Sequence, residues 1–226
     1  MPLYRRENRV IHHVHIPKCA GTSIKQMLEE SGWKKIKLAV PSHLINTVRC
    51  RKENNAFYTG HEHRSIWENW LMTDASLIPE LQFAIVRNPY DRFNSKIRQL
   101  GEEQRRVGCP GPAALIQRFR SLAPGLSIDT PTGIGGGTGS MDNHFRPQVD
   151  FLGEGTHCYQ LEDHLPELIE HLIEKDILLK ESAFPVINAK SLPFAGVPWK
   201  NSDYEQVHEL FKRCYKADFR VLGYDL

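Results

Sequence analysis

The sequence predicts an α/β fold: a single domain with a central parallel sheet flanked by helices. Two observations predict it. Apolar runs of strand length recur at Val10–Ile16, Lys35–Val40, Ala56–Gly60, Leu81–Val86 and His157–Leu161. The stretches between and after them have helical spacing, at Thr22–Glu30, Pro89–Arg105, Pro112–Arg120, His164–Lys175 and Asp203–Lys216. Leu81–Val86 is apolar throughout and reads as a fully buried strand; Asn88 and Pro89 then suit the N-cap and first position of the next helix. Asp163 is expected to cap the helix after the last strand. In the final helix Val207, Leu210, Phe211 and Cys214 recur on one face, which is a core pattern.

Length and composition narrow the function classes. At 226 residues the chain suits one domain and can bury a full core. Its 29 Lys and Arg nearly balance 27 Asp and Glu, so no global field draws it to nucleic acid or to a membrane surface, and any anion site is local. The five cysteines, Cys19, Cys50, Cys109, Cys158 and Cys214, have no CxxC spacing, which argues against a disulfide framework or a zinc ribbon and for a reducing compartment. Met1 to Arg9 is polar and basic with no following run long enough for a signal peptide or a span, so a soluble cytoplasmic protein is expected. Residues 101–148, with the glycine-rich run Gly135-Gly136-Gly137 inside a Pro, Ser and Thr-rich stretch, read as a mobile insertion or substrate lid.

Two segments carry anion chemistry. Ile16-Pro17-Lys18-Cys19-Ala20-Gly21-Thr22-Ser23 follows a strand and opens a helix, where backbone N–H groups lack internal partners and the helix dipole is positive. It is not a Walker loop, because its lysine precedes the glycine. The alternative is a plain capped turn. The second segment starts at the tip of Leu81–Val86. Arg87 sits at the strand end, while Arg92 and Ser95 lie three apart on the following helix, a set that suits a dianionic phosphate. A solvated amphipathic helix, with Arg92 and Lys96 paired to Asp91 or Glu103, is the alternative there.

Taken together, strand-Pro-Lys-x-x-Gly-Thr-Ser followed about seventy residues later by strand-Arg-x-Pro-x-x-Arg-x-x-Ser resembles the sulfotransferase superfamily that uses 3′-phosphoadenosine 5′-phosphosulfate (PAPS). The wording His-Ile-Pro-Lys-Cys-Ala-Gly-Thr-Ser looks most like the carbohydrate (membrane-associated type) branch, here as a soluble single domain. Phe57-Tyr58-Thr59-Gly60-His61 resembles the strand end carrying the catalytic histidine of uronyl 2-O-sulfotransferases; Asp142 to Gln148 resembles a His-x-x-Pro-Gln segment of chondroitin-type enzymes; and Tyr215 to Tyr224 resembles the family's closing helix and turn.

The resemblance implies that Pro17, Lys18, Cys19, Ala20, Gly21, Thr22 and Ser23 hold the 5′-phosphosulfate. It implies that Arg87, Arg92 and Ser95 hold the 3′-phosphate, and that Lys190 and Ser191, in a late loop, close over the adenosine. The activity expected is transfer of a sulfuryl group to a hydroxyl, of a carbohydrate by preference, by in-line displacement with release of 3′-phosphoadenosine 5′-phosphate (PAP) and no metal. Lys18 stands on the leaving-group side, and catalysis rests on positioning and electrostatics, by analogy with phosphoryl transfer. His61 is the first choice for general base, since a neutral imidazole is available near neutral pH; Glu62 and His63 are alternatives. His63, His144 and Arg146 are expected to meet the acceptor. Other classes remain open: a PAP-binding protein without turnover, a nucleotide-dependent kinase on the same scaffold, and a zinc hydrolase built on the pairs His13/His15 and His61/His63.

Overall fold

A computed structural model describes residues 2–39, 51–53, 56–58, 64–103, 110–122, 144–180, 184–185 and 196–226. Seven strands run β1 (Leu3–Arg6), β2 (Arg9–Val14), β3 (Lys34–Lys35), β4 (Arg51–Glu53), β5 (Ala56–Tyr58), β6 (Leu81–Val86) and β7 (His157–Gln160). Six α-helices accompany them: α1 (Gly21–Glu30), α2 (Arg64–Thr73), α3 (Pro89–Glu103), α4 (Pro112–Leu122), α5 (Leu165–Glu174) and α6 (Glu205–Leu222).

The main sheet has the order β3-β1-β2-β6-β7, with β2, β6 and β7 parallel and β1 antiparallel to both of its neighbours. The sheet is therefore mixed, with its parallel half where the apolar runs predicted it. All six residues of β6 are buried, as expected of a strand covered on both faces. β1 was not expected. Its Leu3 and Tyr4 are buried, but two arginines follow, and a tight turn with Glu7 at a φ of 55° folds it back on β2. Those charges are accommodated outside the core: Arg6 lies 4.8 Å over the Trp33 ring and pairs with Asp176 at 2.7 Å.

Two expected strands differ. Of Lys35–Val40 only the start is strand, as the edge pair Lys34–Lys35, and Ala56–Tyr58 pairs with β4 in a separate antiparallel ribbon. The segment leading to His61 is thus not a central strand. Its three strand residues pair with the nearby β4, and a short apolar run by itself does not say which partner it will find. The five expected helices are present, α6 continuing to Leu222 and closing at Gly223 with a φ of 74°, while α2 was not expected. The residue at the α5 N-cap is His164, one past Asp163, and no side chain caps that end.

Chain leaving β2 crosses by α1 to the edge at β3, whereas chain leaving β6 moves to β7 on the other side. The crevice between the C-terminal tips of β2 and β6 is consequently a topological switch point, the usual place for a ligand in an open α/β sheet. One core packs α1, α2 and α5 onto the sheet; a second, aromatic one joins α3, α4 and α6 through Phe93, Phe119, Phe211, Tyr215 and Phe219. The 101–148 segment enters this second core twice, by Leu115 and Phe119 of α4 and by Phe145. The glycine-rich run lies outside the described residues.

Strand register buries histidines. His12 pairs with Gln82 across β2 and β6, and their side chains meet at 2.9 Å; His13 pairs with Phe83 and stacks on it at 5.2 Å and on His15 at 5.6 Å. Burial pushes His12 and His15 down to about 3 and His13 well below the ordinary imidazole value. The folded chain holds these rings neutral, whereas the unfolded chain protonates them near 6.5. Stability contributed by them is present above that pH and lost as pH falls below it. Urea unfolding at pH 6 and pH 5 should show stability falling with acid, and His13→Phe should remove about 1.4 kcal/mol of that fall per pH unit. An unchanged slope in the variant would refute a neutral, buried His13.

Candidate active site

The loop between β2 and α1 is strained. Lys18 and Ala20 both take left-handed backbone conformations, with φ of 69° and 56°, which costs a side-chain-bearing residue about 1–2 kcal/mol. Backbone bent in this way gathers N–H groups into a concavity. At the helix start, the Ala20 carbonyl accepts from Ser23 N at 3.0 Å and Ile24 N at 3.3 Å. Gly21 and Thr22 are left as the first-turn donors without an intrahelical acceptor. Gly21 is required by packing: a Cβ there would stand 2.1 Å from the Nε2 of His15. His15 thus lies against the start of α1, and no cluster of three metal-ligating side chains occurs among the described residues.

The two anion segments meet at the switch point. Arg87 Nη1 reaches the Lys18 carbonyl at 3.5 Å, and Arg92 Nε donates to the Pro17 carbonyl at 3.0 Å. Arg92 also donates from Nη2 to the His144 carbonyl at 3.2 Å and is 2 % exposed. Its guanidinium is thus a clamp between the first loop and the 144–148 segment, which differs from the expected phosphate contact. Ser95 is half-buried on α3 one turn beyond, Arg87 is half-buried at the strand tip, and Thr22 is exposed. Asn88 caps α3 as expected, its Oδ1 accepting from Tyr90 N at 3.0 Å.

Ser23 takes a part other than the one expected. Its amide is spent on Ala20, and its Oγ donates to the Pro185 carbonyl at 2.7 Å, so it ties the late loop to α1. Cys19 is buried with its Sγ 3.4 Å from Gln148 Oε1, and burial pushes its thiol up to about 12. It packs and does not react. Lys18 Nζ donates to Gln99 Oε1 at 3.3 Å.

Of the residues assigned to the acceptor, His144 is half-buried beside the lysines, and burial together with the charges of Lys96, Lys18 and Arg92 holds its imidazole neutral with a value of about 3. Arg146 turns inward to Asp150 at 3.5 Å. His61, Glu62, His63, Lys190 and Ser191 lie outside the described residues.

Three residues brace the site in a way the sequence reading did not assign, Gln148 having been read only within a His-x-x-Pro-Gln segment beside the acceptor. Gln148, fully buried, accepts from Arg87 N at 2.9 Å and donates to Arg87 O at 2.7 Å. Asp218 of α6 accepts from the amides of Gln148 and Val149 at 2.9 and 3.0 Å, and burial pushes its carboxyl up to about 6 against the pull of Arg92. Tyr215 donates to the Phe145 carbonyl at 2.7 Å. The available signal was a carboxylate set among Phe211, Tyr215, Phe219 and Leu222 on an apolar helix face, where a charge needs a specific partner. Glu162 works similarly at the edge, accepting from Asn88 N and from the Tyr224 hydroxyl, both at 3.0 Å.

A model of the Sulfotransferase family matches residues 2–225, and the chain belongs to that family. It is accordingly an enzyme of sulfate transfer. Comparison with curated proteins and with solved structures gives no match.

The contact between His15 and Gly21 is open to a direct test. Gly21→Ala should cost about 1–3 kcal/mol in thermal or urea unfolding through overpacking, and most of that cost should vanish when His15 is also Ala. Equal costs in both backgrounds would mean that the ring does not press on the helix start.

Proposed function

We propose that the enzyme transfers the sulfuryl group of PAPS to a hydroxyl, with a carbohydrate as acceptor, and releases PAP. The observation that carries this reading is the convergence of the Pro17–Thr22 loop with the tip of β6 and the start of α3, through Arg87 on the Lys18 carbonyl and Arg92 on that of Pro17. Two anion-binding segments held side by side suit a ligand phosphorylated at both ends, and PAPS use is typical of the family.

On this reading the amides of Gly21 and Thr22 hold the 5′-phosphate, and Arg87 with Ser95 holds the 3′-phosphate. The Lys18 ammonium lies toward the bridging oxygen. PAPS brings an activated sulfuryl group whose bond to phosphate breaks as the acceptor oxygen bonds to sulfur. Lys18 stabilises the negative charge that gathers on the departing phosphate. His61 takes the acceptor proton, with Glu62 or His63 as the substitute base, and Lys190 and Ser191 cover the adenosine. His63, His144 and Arg146 adjoin the acceptor. No metal enters these steps. Carbohydrate as acceptor rests on the branch resemblance, and a soluble, cytoplasmic enzyme of one domain is the accompanying proposal; no helix among the described residues is long and apolar enough to cross a membrane.

Calorimetric titration with PAP tests the reading. Wild type should bind, while Lys18→Ala and Arg87→Ala should each weaken binding about 10- to 100-fold, the worth of a charge-assisted hydrogen bond. His61→Ala should bind PAP normally and lose about 100-fold or more in turnover with a hydroxyl acceptor. Absence of PAP binding in wild type, or equal affinity in all three proteins, would sink the donor assignment.

A further inference from the structure

Helix α6 reaches the second anion segment through one carboxylate. Asp218 is 0 % exposed, and its oxygens divide between two amides: Oδ2 accepts from Gln148 N at 2.9 Å and Oδ1 from Val149 N at 3.0 Å. The side chain of that same Gln148 pairs with the Arg87 backbone, at 2.9 Å to its amide and 2.7 Å to its carbonyl. The first half of this link depends on the charge of the carboxylate. An ionised carboxyl offers acceptors on both oxygens and serves two N–H donors at once. A protonated one carries a hydrogen on one oxygen, and a buried amide is left facing a donor.

Burial pushes the Asp218 carboxyl up to about 6, with Asp150 adding to the rise and Arg92 and the two amides opposing it. Arg92 faces it from α3, its guanidinium spent on the Pro17 and His144 carbonyls, and Asp150 faces it from the turn after Gln148, paired with Arg146 at 3.5 Å. The Cys19 thiol of the first loop and the Tyr215 hydroxyl of α6 feel its charge, and burial raises both. His15 and His144 are held neutral, with values of about 3. Across pH 5–8 the thiol, the hydroxyl and both rings therefore keep one charge state while Asp218 changes its own.

We infer that ionised Asp218 is the positioning residue that aims Arg87 at the 3′-phosphate of the donor, and that this hold is released when the carboxylate takes up a proton. The inference rests on the PAPS reading above and adds to it a control of donor affinity that neither anion motif contains. The proton binds one carboxyl oxygen, breaks one of the two amide contacts, and loosens Gln148 and with it the Arg87 backbone. Asp218→Asn has the shape of the protonated acid, with one acceptor oxygen in place of two, so it stands for that state at every pH.

Calorimetric titrations with PAP and with adenosine 5′-phosphosulfate, which lacks the 3′-phosphate, test this at pH 8 and pH 5. At pH 8 Asp218→Asn should bind PAP about 10- to 100-fold more weakly than wild type, and adenosine 5′-phosphosulfate equally well. At pH 5 about nine in ten Asp218 carboxyls are protonated, so the PAP gap should narrow about 5- to 10-fold. Ionisation of PAP itself is common to both proteins and drops out of the comparison. Should Asp218→Asn not fold, wild type answers alone. In enzyme with 13C-labelled aspartate one carboxyl should titrate near 6, and its midpoint should fall by about 1–2 pH units with PAP bound and stay in place with adenosine 5′-phosphosulfate. A PAP gap of the same size at both pH values, wild-type PAP affinity in Asp218→Asn at pH 8, or an aspartate midpoint indifferent to PAP overturns the inference and leaves the donor reading intact. Equal weakening of both ligands overturns the route through Arg87. A wild type that binds neither ligand overturns both readings.

Discussion

The side-chain amide of Gln148 takes the place of a strand neighbour at the tip of β6, accepting from the Arg87 amide at 2.9 Å and donating to the Arg87 carbonyl at 2.7 Å. On that pairing the rest of the site depends. It fixes where the strand ends and where Arg87 points. The oxygen of the same amide receives the Cys19 thiol of the first loop, so one side chain holds both anion segments. Gln148 is in turn held by Asp218 of α6, whose two oxygens take the Gln148 and Val149 amides. A neutral amide and a buried carboxylate thus stand behind Arg87 and the first loop, each hydrogen-bonded, as low-dielectric surroundings require.

Charge in the crevice is sorted by depth. Arg92, at 2 % exposure, spends two nitrogens on backbone carbonyls and fixes distances between segments. Arg87 at the strand tip and Ser95 on α3 are half-buried. The histidines of β2 and its loop are driven neutral by burial, so His15 can press on Gly21 without adding charge, and His144 can lie among cations. Strain is concentrated at Lys18 and Ala20, the two left-handed residues of a loop that would otherwise run directly from strand to helix. The surrounding contacts from Arg87, Arg92 and Gln148 over-determine that loop, which is how a sparse conformation persists.

Much of this was legible from local pattern. The run Leu81–Val86 followed by Arg87, Asn88 and Pro89 announced a buried strand and a capped helix, because burial on both faces and N-cap chemistry are properties of a few consecutive residues. The same holds for the Pro-Lys-x-x-Gly-Thr-Ser loop. What stayed hidden depends on partners far apart in sequence. β1 escaped notice because Arg5 and Arg6 look like solvated chain until Trp33 and Asp176 are brought beside Arg6. Ala56–Tyr58 looked like a central strand because a short apolar run does not specify which neighbour it pairs with, and it joined β4. Ser23 and Arg92 belong to the expected motifs, yet their side chains hold Pro185, Pro17 and His144 in place.

By itself, then, the sequence determined the class of fold, the parallel core of the sheet and the two segments that gather positive groups at helix starts, since each is encoded within a single strand, turn or helix. Only the tertiary structure decided which members of those segments face the crevice and which brace it. Gln148 and Arg87 are separated by 61 residues, Gln148 and Asp218 by 70, and Lys18 and Gln99 by 81. No periodicity or motif spans such distances. A hydrogen bond chooses its partner by position in space, and that position exists once strand order and helix packing have set it.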